Sequence, residues 1–315
     1  MASFRLRSVL QVLAGVALLA LLLLLAHPGR LLATLRGGNP GLMAAAALPF
    51  AAVLLLEALR IAQIFEPYGL AYGTALRVTL TSMFFGSFTP GTLGGEAYKV
   101  YFAHRRSPGL ARPIALTLVL RLAGVGATLA LAALYFAVYP GRLSDQWGQV
   151  HWMRPSGAAL AAAALLLAAS PGLLFATSRG RELARQARTA LLDAGWSLRA
   201  VPPSRIAGLV LASLLIAAAR IVYFYLLAHS FAPDLFLPDL APVAAAAAIA
   251  GVVPLTLGGL GTQEGALAAG LVLIGLPYPA AVASALLNRG FLWAAAAAGW
   301  LILAGSRPAQ DDPGA

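Results

Sequence analysis

The chain has no cysteine. Disulfides and thiolate metal sites are excluded, and nothing follows about redox compartment. Charge is scarce: Asp, Glu, Lys and Arg make up 10% of the residues, and Lys99 is the single lysine among 22 basic residues. The four histidines, His27, His104, His151 and His229, fall near different span ends and share no ligand spacing, so no metal is expected. There is no Walker-type phosphate loop, which makes ATP an unpromising driver. No nucleophile sits beside a base, and no paired acids stand out. The expectation is a protein that is not an enzyme and carries no cofactor.

What the chain has in abundance is apolar surface. Of its 315 residues 60% are hydrophobic, and the mean hydropathy is +0.83. A soluble domain of this size could not hide so much. The formal net charge is +11, but the positive residues gather in a few loops. That is the pattern of membrane topology and not of nucleic-acid binding. The reading is an all-α, polytopic protein of a bacterial-type inner membrane, one transmembrane domain over residues 1–315.

A span needs about 20 apolar residues. Segments 9–26, 41–62, 114–139, 157–177, 206–230 and 280–304 qualify. Regions 78–103 and 240–276 are apolar but interrupted by Pro and Gly, so each reads as a re-entrant hairpin or a pair of short helices. The expectation is six full spans with two re-entrant hairpins, or eight spans. Arginines concentrate in 60–77, 99–112 and the loop 178–205, whereas 231–239 carries Asp234 and Asp239 and no base. The positive-inside rule then sets both termini and the basic loop in the cytoplasm. Segment 179–199 reads as a cytoplasmic loop or an amphipathic surface helix. Aromatics near span ends, among them Tyr135, Tyr223 and Trp300, read as an interfacial belt.

One pattern occurs twice. Pro90-Gly-Thr92-Leu-Gly94-Gly95 is followed by Glu96, and Pro254-Leu-Thr256-Leu-Gly258-Gly259 is followed by Glu264. From Glu96 to Arg121 is 25 residues, and from Glu264 to Arg289 is again 25. The predicted orientation makes unit one (78–139) and unit two (240–304) enter from opposite faces, an inverted-topology repeat.

Pro90 and Pro254 cannot continue a helix, and paired glycines allow backbone angles that other residues avoid. Non-helical backbone at membrane depth persists only beside protein or a water-filled cavity. A helix restarting after Gly94-Gly95 or after Gly259-Leu-Gly261 would aim free N–H groups at an anion. The alternative is a tight turn between packed helices. An arginine at the centre of a span costs ~2.5–3.5 kcal/mol on insertion scales. Arg121 and Arg289 therefore need partners, and Glu96 and Glu264 are the candidates, within a unit or across the two. Either the four charges lock the broken helices, or an arginine keeps a donor for phosphate, which its planar fork suits. Lys99 shares a helix face with Glu96. Asn288 and Gln263 neighbour key charges, Arg220 is a third intramembrane cation, and Glu57 with Arg60 reads as a structural pair at a span end. The candidate substrate-binding set is Arg121, Arg289, Lys99, Glu96, Glu264, Gly94, Gly95, Gly258, Gly259, Thr92, Thr256 and Asn288.

The run Phe85-Gly-Ser-Phe-Thr-Pro90-Gly-Thr-Leu-Gly-Gly-Glu96-Ala-Tyr-Lys99, then Arg121, then Gly258-Gly-Leu-Gly-Thr-Gln-Glu264 and Arg289, resembles the transmembrane region of lysylphosphatidylglycerol synthases, shared with stand-alone flippase-like proteins. The resemblance runs from about residue 5 to 305. It implies lipid translocation or handling, and, with the chain ending at Ala315, argues against aminoacyl transfer. Relatives commonly read Gly-Gly-Asp followed by arginine where this chain has Glu96 and Lys99, and Gly-Val-Arg-Glu where it has Gly261-Thr262-Gln263-Glu264. The expected function is a flippase or transporter of an anionic phospho- or polyprenyl-linked lipid, with membrane lipids as its partners. The alternative is a membrane-embedded lipid-modifying enzyme or an accessory subunit.

Overall fold

The computed structural model describes residues 2–106, 109–143, 202–252 and 255–305. The span expected at 157–177, segment 179–199, most of the basic loop 178–205 and Pro254 lie outside the described residues. The elements are α1 (Ala2–Leu25), α2 (Pro28–Gly37), α3 (Pro40–Ala45), α4 (Ala47–Ile64), α5 (Tyr72–Ser87), α6 (Leu93–His104), α7 (Ala111–Val138), α8 (Pro203–His229), α9 (Leu240–Val252), α10 (Thr262–Leu273) and α11 (Tyr278–Gly305). Among the described residues the single β-type pairing is an isolated bridge.

Helix boundaries follow local chemistry. Pro28, Pro40 and Pro203 each occupy the first turn of a helix, where a missing N–H costs nothing. Asn39 caps α3 by accepting from the Gly41 N–H at 2.9 Å and the Leu42 N–H at 3.2 Å. Four helical segments are long and apolar enough to cross a membrane: Pro40–Ile64, Arg112–Val138, Pro203–His229 and Tyr278–Gly305. They match four of the expected spans. A fifth, 9–26, lies in α1, which bends by 77° into α2. His27 at that corner has φ 53°, and Pro28 follows it.

The two interrupted regions are helical hairpins. Phe85 stacks on Tyr98 across α5 and α6, with ring centroids 5.1 Å apart. Gly95 lies so close to the Ser82 carbonyl that a Cβ would come within 2.5 Å of its oxygen. α9 and α10 pair in the same antiparallel sense, with Gly270 against Val243 and Gly251 against Gln263. α6 and α10 each have 12 residues, and the helices that follow, α7 and α11, each have 28. The partners cross over: α5 packs on α11, and α9 packs on α7. α11 can approach because its inner face is small: Ala281, Ala283, Ala285 and Ala296 are buried, and Gly299 lies on the backbone of Leu80.

The cores flank the hairpins. One gathers Tyr223, Phe224, Leu227, Leu240, Leu267 and Leu271 from α8, α9 and α10. The other gathers Ile61, Phe65, Leu116 and Leu120 from α4, α7 and the segment between α4 and α5. Tyr135 and Tyr223, expected in the belt, are inside: Tyr135 is buried and donates to Asp239 at 2.7 Å, and Tyr223 is buried in the first core. Their positions near predicted span ends concealed the helices that cover them.

Candidate functional site

The two helix breaks meet. Pro90 and Leu257 form the antiparallel bridge. Gly258 donates to the Thr89 carbonyl at 2.9 Å and Gly91 to the Thr256 carbonyl at 3.4 Å. Gly258 has φ +56°, and a Cβ there would lie 2.5 Å from the Ser87 carbonyl oxygen. Glycine is required on both counts.

A cavity of about 340 Å³ opens beside this junction, among α4 to α11. Five cations (Arg60, Lys99, Arg121, Arg220 and Arg289) and two carboxylates (Glu57 and Glu96) line it. Four of these form a chain of alternating sign. Arg60 contacts Glu57 at 2.6 Å, Glu57 lies 3.8 Å from Lys99, and Lys99 lies 3.4 Å from Glu96. Arg60 also donates to the Ser213 hydroxyl at 3.1 Å.

The two repeated arginines behave differently. Arg289 donates through Nε to Glu264 at 2.6 Å and through Nη1 and Nη2 to the carbonyls of Gly258 and Gly259, at 3.0 and 3.2 Å. Glu264 also accepts the Gly261 N–H at 2.6 Å, the reach-back bond of a capping box, at the start of α10. Arg121 makes one hydrogen bond, to the Gly91 carbonyl at 3.2 Å. Among the described residues it has no carboxylate in ion-pair contact, because Glu96 turns to Lys99. The expected Glu96–Arg121 pair is therefore not made. Arg220 likewise lines the cavity without a direct carboxylate contact among the described residues.

Unpartnered polar atoms lie within the walls of the same space. Ser82, Tyr223 and Asn288 line the cavity, and their buried Oγ, Oη and Nδ2 atoms have no hydrogen-bond partner among the described residues. Buried polar groups left so cost about 1–3 kcal/mol each unless something satisfies them. Thr92 also lines the cavity, in the left-handed region at φ 62°, a conformation that β-branched residues rarely hold.

Of the sequence-expected set, Arg121, Arg289, Lys99, Glu96, Gly95, Gly258, Thr92 and Asn288 line the cavity. Glu264, Gly94, Gly259 and Thr256 lie behind it and build the hairpin tips. Three of the N–H groups expected to be free are taken, those of Gly94, Gly95 and Gly261. α6 begins at Leu93, before the glycine pair, and Gly94 donates to Thr89 Oγ1 at 2.7 Å and Gly95 to the Thr92 carbonyl at 3.1 Å. Thr89 and Glu264 are the acceptors that the glycine pattern did not reveal. Sequence reasoning left Glu57, Arg60 and Arg220 outside the set. The signal for them was present, since a charge inside an apolar span is a site by default.

Residues 12–299 match the family described as Lysylphosphatidylglycerol synthase TM region. The chain belongs to that family. No match was found among curated proteins, and none among solved structures. The lysylphosphatidylglycerol synthase TM region match spans both hairpins and every cavity-lining residue. It joins the cationic cavity to a membrane family of a lipid-related pathway.

Proposed function

We propose that this protein binds an anionic lipid by its head group and moves it between leaflets. One observation carries the reading: a cavity inside a bundle of membrane-length helices holds more cations than carboxylates, and Arg121 and Arg220 in it have no direct acidic partner among the described residues. A phosphate would complete both, and arginine presents the donor geometry for it. Ser82, Tyr223 and Asn288 add polar side chains to the cavity wall. In this reading the hairpins are re-entrant from opposite faces, as an inverted-topology repeat in a bacterial-type cell membrane with both termini cytoplasmic. The matched helix lengths and the crossed packing support that arrangement. The role is transport rather than catalysis.

Reconstitution into proteoliposomes with labelled anionic lipids tests the proposal. Movement between leaflets by wild type and its loss in folded Arg121→Ala are the expected result. Movement that is unchanged in Arg121→Ala contradicts it.

A further inference from the structure

A second space adjoins the polar cavity. It is a groove of about 640 Å³ bounded by α1, α5, α11 and the turn before α10. Its lining is almost wholly apolar: Phe84, Phe88 and Leu257 on one side, Trp293 and Trp300 on the other, with Ala297 between. The two tryptophans are seven residues apart on α11, hence on one helix face. Both are half-exposed, so the groove opens sideways from the bundle.

Two residues border both spaces, Ser87 and Arg289. The paired hairpin tips stand at this border too, because Leu257 lines the groove while its backbone holds the bridge to Pro90. An apolar trough and a cationic chamber therefore adjoin at Ser87 and the Arg289 guanidinium. Two unrelated ligands would not need that adjacency. One amphipathic molecule does.

We infer that the groove seats a hydrocarbon chain of the lipid whose phosphate enters the polar cavity, with the head group and chain passing on either side of Ser87 and Arg289. This inference rests on the lipid reading above and adds where the chain goes. A groove of this volume falls in the range of small-molecule sites, about 300–1,000 Å³, so it holds part of one chain, and the remainder extends into the bilayer through the open side. Burial of the chain against Phe88, Trp293 and Trp300 supplies affinity, and the cationic chamber supplies the choice of head group.

The test uses purified full-length protein in detergent and dioleoyl phosphatidic acid as the probe, with retained lipid counted by native mass spectrometry. Ala297 is exposed on the groove wall, so Ala297→Phe fills the groove without disturbing the core. Leu134→Phe enlarges an equally exposed apolar residue elsewhere and serves as the control for loosely held surface lipid. Ala297→Phe should lower retention about tenfold, the factor that about 1.4 kcal/mol of lost interaction produces. Leu134→Phe should retain lipid like wild type, and Arg121→Ala should lose it. Retention unchanged in Ala297→Phe but lost in Arg121→Ala overturns the chain seat and leaves the head-group reading standing. Retention lost in Ala297→Phe but unchanged in Arg121→Ala overturns the head-group reading and, with it, the single continuous site. Equal retention by all four proteins contradicts both.

Discussion

Arg289 and Glu264 hold each other at 2.6 Å with both side chains almost fully buried, 25 residues apart in sequence. The pair joins α11 to the first turn of α10, and Glu264 uses its other oxygen to cap that turn. Losing one partner leaves the other buried and uncompensated, which costs about 3–5 kcal/mol. Glu264→Gln and Arg289→Ala should each lower stability by that amount, read by thermal or denaturant unfolding in detergent. Replacing both together by leucine should cost less than the sum of the two single changes. Additive losses would show that the two residues do not act as a pair.

Arg121 should behave otherwise. It makes one hydrogen bond to a carbonyl and no carboxylate contact among the described residues. Arg121→Ala should change stability by less than about 1 kcal/mol, in line with the net worth of an ordinary hydrogen bond. The same unfolding measurement checks it. A loss as large as that of Arg289→Ala would make Arg121 a structural strut.

Equal spacing in sequence did not give equal pairing, and helix register is the reason. α10 begins at Thr262, so Glu264 is its third residue, the position from which a carboxylate reaches back to the cap N–H. α6 begins at Leu93, so Glu96 is its fourth residue, about 100° further round the helix. There it meets Lys99, one turn on, and the cavity. The third position of α6 is Gly95, pressed on the Ser82 carbonyl. Pro and Gly made both breaks legible, and the apolar runs made the spans legible. What sequence did not disclose was tertiary. Glu57 with Arg60, and Arg220, sit on two separate apolar helices, and only the packing of α4 on α8 brings them to one cavity.

Thr92 should be a strained residue. A β-branched side chain at φ 62° carries a cost of order 1–3 kcal/mol, which glycine does not bear. Thr92→Gly should raise stability by about 1 kcal/mol, while Thr92→Val, which keeps the branch and loses the hydroxyl, should not. Comparison of the two unfolding midpoints decides it. A gain in both would place the cause in the hydroxyl, which contacts the Gly91 carbonyl at 2.6 Å.

Gly258 carries the junction of the two tips. A methyl group there would press on the Ser87 carbonyl from a left-handed backbone. Gly258→Ala should cost about 1–3 kcal/mol from overpacking. It should also part the tips, raising hydrogen exchange at the amides of positions 91 and 258, which bond across the junction at 3.4 and 2.9 Å in the native chain. Exchange unchanged from wild type would mean that the junction tolerates a Cβ.

The central claim is that the charge excess of the cavity exists to take an anionic head group. Lipid movement in proteoliposomes tests it most directly when wild type is compared with Arg121→Ala, Arg220→Ala and Arg121→Lys, each first shown to unfold like wild type. The account predicts movement of an anionic lipid by wild type, loss of at least about tenfold on either alanine change, and partial rescue by lysine, which keeps the charge but not the planar fork. Undiminished movement in both alanine variants would contradict it, because Arg121 and Arg220 would then have no part in recognising the lipid.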